Sequence, residues 1–151
     1  MRRVWLVALS FVLAAPKILA GQATLEANQI SPEGLSRDQA KAVLSIVLKH
    51  QRHDLNKTGM SVEELHRKDG SDPHPGYYDF GLSYDTPEAG ATQVLGAYAV
   101  SRFTGDVWEL NLCKRFSPRD LKKLQKIIMA RTGRSFSSEK MERIGLGCTS
   151  V

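Results

Sequence analysis

Residues 77–84 (YYDFGLSY) constrain this chain more than any other segment. Tyr78, Phe80, Leu82 and Tyr84 alternate with Tyr77, Asp79, Gly81 and Ser83. Successive side chains on a strand point to opposite faces, so the pattern predicts a strand with one apolar face, and that face needs a sheet and a covering layer around it. Thr86 to Gly90 breaks the pattern. Residues 93–101 (QVLGAYAVS) then read as a central strand, apolar on both faces and covered on each side. Phe103-Thr104-Gly105-Asp106 reads as a turn, and residues 107–112 (VWELNL) as the returning strand, with Trp108, Leu110 and Leu112 on its core face. Residues 60–68 fit an edge strand better than the short helix that Ser61-Val62-Glu63-Glu64 would also cap. The sum is a three- or four-stranded antiparallel meander.

Helices flank it. Ser36-Arg37-Asp38-Gln39 is a capping box, and Ala40, Val43, Leu44, Val47 and Leu48 recur at helical spacing, which predicts a helix from about Arg37 to Arg52. Ser117-Pro118 opens a second helix, with Leu121, Leu124, Ile127 and Ile128 as its buried stripe and Gly133 as its stop. A short helix over 138–144 leads to Cys148. The fold class expected is α+β: an N-terminal helix packed on the sheet, then a basic C-terminal helix and a disulfide-tethered tail.

The first residues read as an address. Met1-Arg2-Arg3 is a positive lead, Val4 to Ala15 an uncharged and mostly apolar run too short to span a bilayer, and small residues at Ala20 and Ala23 suit cleavage. Residues 1–20 are thus expected to be a signal peptide, 21–35 a flexible lead-in, and 36–151 one domain of an exported periplasmic or secreted protein without a stable membrane anchor. Loss of Arg2, Arg3 and Lys17 lowers the formal charge from +5 to +2. The basic balance is therefore partly an export feature and is poor support for nucleic-acid binding. What remains is uneven: residues 113–143 hold ten Lys/Arg against three Asp/Glu, and residues 21–112 hold eight against thirteen. A basic end of this kind steers association with an acidic protein. The two cysteines, Cys113 and Cys148, in a chain bound for an oxidising compartment read as one disulfide.

No catalytic set emerges. His50 and His53 share a helix face but lack further ligands at zinc spacing, and Asp69, Gly70 and Asp72 do not complete a calcium loop, so neither metal nor cofactor is expected. Exposed Tyr77 and the turn residue Phe103 are candidate aromatic anchors. The hairpin Tyr98-Ala99-Val100 … Thr104-Gly105-Asp106-Val107, following a helix, resembles the PepSY family and more loosely the cystatin arrangement, over residues 36–112. That resemblance implies a small exported module that binds or inhibits and has no catalytic residues. The function expected is a non-catalytic binding module of the cell envelope, an inhibitor or immunity-type partner of a secreted or cell-wall-degrading enzyme. Lys122, Lys123, Lys126, Arg131 and Phe103 are its expected contact residues. Two alternatives are a small envelope hydrolase using His53 or His66 with a carboxylate, and an assembly protein that self-associates through a sheet edge.

Overall fold

A computed structural model describes residues 25–86, 88 and 90–148. The expected signal peptide, with its cleavage position, lies outside these residues. The described chain contains α1 (Arg37–His50), β1 (Met60–Leu65), β2 (Tyr77–Thr86), β3 (Ala91–Ser101), β4 (Val107–Glu109), β5 (Lys114–Phe116), α2 (Arg119–Thr132) and α3 (Lys140–Gly145), with short 3-10 turns at Ala27–Gln29 and Phe136–Glu139. The five strands form one antiparallel sheet in the order β1-β2-β3-β4-β5. Residues 60–65 are indeed a strand. The fifth strand has no counterpart in the sequence reading, because three residues are too few to show a period.

One face of the sheet carries the main core. Tyr78, Phe80 and Leu82 of β2 and Tyr98 and Val100 of β3 meet the α1 stripe Ala40, Val43, Leu44, Val47 and Leu48 together with Leu121 and Ile128 of α2. Each large aliphatic side chain buried here stabilises the fold by roughly 1.5–3 kcal/mol relative to exposure. The α1 capping box is present: the Ser36 hydroxyl accepts from the Gln39 amide at 3.2 Å and the Gln39 side-chain oxygen from the Ser36 amide at 2.9 Å. The expected flexible lead-in, residues 21–35, is described from residue 25, and part of it packs onto the core. Ile30 and Leu35 are buried in the core, and the Leu35 amide donates to the Arg102 carbonyl at 2.7 Å.

The opposite face is covered at one end only. There Tyr77, Ala99 and Trp108 pack against Leu146 and Cys148 of the C-terminal segment, which the Cys113–Cys148 disulfide ties down. Tyr77 is consequently buried at 1% exposure and offers no anchor to a partner. Three further expectations change for the same reason, that cover is local. The first half of β3 is exposed, with Val94 at 73%. β4 stops at Glu109, which leaves Leu112 out in solvent. In α2 the buried stripe is Leu121, Gln125 and Ile128, while Ile127 faces outward.

Candidate functional site

The β3–β4 turn organises the polar architecture around the C-terminal segment. Gly105 adopts φ +67°, and a Cβ there would meet the Ile128 side chain at 2.6 Å, so the turn accepts only glycine. Its carbonyl accepts from buried Gln125 Nε2 at 3.0 Å, which explains a glutamine within the α2 stripe. Beneath the turn, the Glu139 carboxylate accepts from the Ser101 hydroxyl at 2.6 Å and the Thr104 hydroxyl at 2.7 Å. Asp106, fully buried, accepts from Trp108 Nε1 at 3.0 Å and Arg115 Nε at 2.6 Å, with Arg143 Nε at 3.9 Å. Sequence reading missed both carboxylates as structural groups. Glu139 follows two serines and reads as an exposed helix-start residue, and Asp106 reads as turn polarity.

Burial holds the Glu139 carboxyl above its ordinary value of 4.5, against the opposing hydrogen bonds from Ser101 and Thr104. The folded chain then keeps a proton that the unfolded chain has released. Glu139 therefore makes stability fall as pH rises from about 4.5 through the raised folded value. Glu139→Gln is expected to flatten that arm of the stability curve in urea unfolding between pH ~4 and ~7. Asp79, also raised by burial, retains part of the slope. An unchanged slope in the variant would contradict the assignment.

The expected contact residues divide into two groups. Lys122, Lys123 and Lys126 stand exposed on the outer face of α2. Among the described residues no carboxylate lies within ion-pair distance of them, whereas Arg37, Arg115 and Arg134 are engaged with Asp72, Asp106 and Glu142. Lys122 and Lys126 border a shallow groove between β5 and α2, with Arg115, Ser117, Met129 and Phe136. Arg131 and Phe103 sit elsewhere, near the C-terminal end of α2. Arg131 Nε donates to the Ile30 carbonyl at 3.3 Å. Phe103 is half-buried between the guanidinium groups of Arg102 and Arg134, at 5.2 and 4.9 Å from its ring, and its carbonyl accepts from the Thr132 hydroxyl. Both therefore have a packing role of their own.

The histidines do not converge. His53 follows the C-terminal end of α1, beside Asp54 and Asn56 in a shallow depression. His66 lies 3.2 Å from Glu64, whose partner Arg37 opens the same helix. A helix of 14 residues separates the two by about 20 Å. Each histidine has a carboxylate close by, Asp54 beside His53 and Glu64 beside His66, but the two histidines share no pocket among the described residues.

The family described as T6SS, Immunity protein Tgi2PP matches residues 34–140, well over half the chain. The chain belongs to this family. A solved structure described as a type VI secretion system effector-immunity complex from Pseudomonas protegens contains a chain 47% identical to this one, with a TM-score of 0.81, covering 84% of this chain and 100% of that chain. No curated protein matches the chain. Membership of the Tgi2PP immunity family corrects the PepSY and cystatin resemblance. The strand–turn–strand that carried the resemblance is a common device, and it is only part of this unit. Here its turn is closed by Glu139, from the C-terminal segment that the resemblance left out. The immunity-type role expected from export, size and charge is the role of the Tgi2PP family.

Proposed function

We propose that this chain is exported to the cell envelope, binds a secreted type VI effector there, and neutralises it. The observation that carries the reading is the match, over that chain's full length, to a structure described as an effector-immunity complex. The signal-like residues 1–20 and the disulfide support an oxidising location. Lys122, Lys123 and Lys126 form the docking face and steer an acidic surface of the effector onto α2, while Arg131 and Phe103 stay engaged within the fold.

Binding of the Pseudomonas protegens effector to the oxidised chain tests both parts. The triple variant K122E/K123E/K126E is expected to weaken binding by roughly tenfold or more, mainly through slower association, and the deficit should grow as salt is lowered. Equal affinity in the variant would remove α2 from the interface. Absence of binding by the unaltered chain would remove the effector reading itself.

A further inference from the structure

The sheet has an open edge in its middle. β4 pairs with β3 only at Tyr98, Ala99 and Val100. The chain then turns away, and the Leu110 amide donates to the Ala97 carbonyl at 2.8 Å. From residue 96 back to residue 91, β3 has β2 on one side and no strand on the other among the described residues.

Hydrogen-bond direction identifies the free groups. The Asp85 amide donates to Gly59, away from β3, at 2.8 Å. Backbone groups of successive strand residues point to alternate sides, so Ser83 points the same way as Asp85. Thr92 faces Asp85 and Val94 faces Ser83. In such pairs both partners turn their amides and carbonyls outward, so Thr92 and Val94 present theirs to the open edge.

Charge sets this edge apart. β1 carries Glu63 and Glu64, and β5 carries Lys114 and Arg115, whereas β3 from Ala91 to Ser101 has no charged residue. Edges that must stay single are commonly guarded by charge, and this one is not. Val94, at 73% exposure, adds an apolar side chain on this stretch of β3. The match over the full length of a chain from an effector-immunity complex favours the effector as the occupant of this edge.

We infer that the open edge of β3 receives an extended, uncharged segment of the effector as an added strand, bonded through the main chain of Thr92 and Val94 with an apolar side chain against Val94. The inference rests on the proposed effector partner and adds a second contact to the α2 lysines. Strand addition of this type draws affinity from backbone hydrogen bonds and specificity from alternate side chains.

Amide hydrogen exchange on the oxidised chain, alone and with the Pseudomonas protegens effector, tests it. The Thr92 and Val94 amides should exchange freely in the unbound chain and slow at least tenfold in the complex. Val94→Pro removes one outward amide and leaves the β2–β3 ladder in place, and Val94→Lys restores the guard charge. Each should weaken effector binding by tenfold or more with an unchanged thermal midpoint. Amides that stay unprotected in a formed complex, or full affinity in Val94→Lys, would overturn the inference while leaving the effector reading intact. Protection that rises with the concentration of the chain alone would assign the edge to self-association instead. No complex at all would remove the effector reading, and this inference with it.

Discussion

Replacing both Cys113 and Cys148 by Ser is expected to lower the unfolding free energy by about 4 kcal/mol, the chain-entropy value for a loop closed over 35 residues. In a domain of this size that corresponds to a fall in the thermal midpoint on the order of 15 °C. The loss should begin locally. Leu146 and Cys148 lie over Tyr77, Ala99 and Trp108, and this smaller cluster is the cover of the second sheet face. Without the cross-link, amides of residues 136–148 should exchange before those of α1, whose stripe sits in the main core. Urea unfolding of the oxidised and reduced chain, followed by exchange on the reduced one, checks both statements. A difference below about 1 kcal/mol would mean that the tail holds its place through its own contacts and that the cross-link adds little.

Periodicity made the first face legible. The alternation at Tyr78, Phe80 and Leu82 and the helical spacing at Ala40, Val43, Leu44, Val47 and Leu48 report burial against a common core, and every one of those residues is buried. The cysteine pair was legible by arithmetic, since the sequence holds two cysteines behind a signal-like leader and they are bonded to each other. Periodicity was silent where cover is uneven. Residues 93–101 look uniformly apolar, yet Tyr98 lies opposite Phe80 in the core while Val94 lies opposite Ser83 on the second face, which the C-terminal segment covers only at its other end. Gln125 and Glu139 break an apolar rule from within, since their partners, the Gly105 carbonyl and the Ser101 and Thr104 hydroxyls, are remote in sequence.

The candidate surface was legible in part for a related reason. A basic run on a helix is visible in sequence, but the division of labour among its members is not. Arg131 bonds Ile30, 101 residues away, while Lys122, Lys123 and Lys126 form no ion pair among the described residues. The planar, multi-donor guanidinium suits fixed bonds within the fold, whereas the strongly hydrated ammonium of lysine stays readily in solvent. Family membership likewise lay beyond what one short hairpin motif conveys, because the matched region runs from 34 to 140 and includes α2 and the Glu139 contact.

Asp106→Ala is expected to destabilise the chain by about 3 kcal/mol, a larger loss than any single surface change would give. The carboxylate accepts from Trp108 of β4 and Arg115 of β5, and the guanidinium of Arg143 from α3 lies 3.9 Å away. Removing it strands the indole N–H in a buried position and leaves the positive charge of Arg115 and Arg143 uncompensated beside it. Arg115 is one-third exposed and can turn toward water, which keeps the cost near the lower end of the range for a broken buried pair. Asp106→Asn retains an oxygen acceptor but not the charge, so a smaller loss of about 1–2 kcal/mol is expected. Equilibrium urea unfolding of the three proteins at neutral pH gives the order directly. If the Ala and Asn variants were equally destabilised, the neutral oxygen would contribute nothing and the whole effect would belong to the charge. If both matched the unaltered chain, the C-terminal segment would be held by Leu146, the disulfide and the Glu139 hydrogen bonds, and the Asp106 carboxylate would be incidental to the fold.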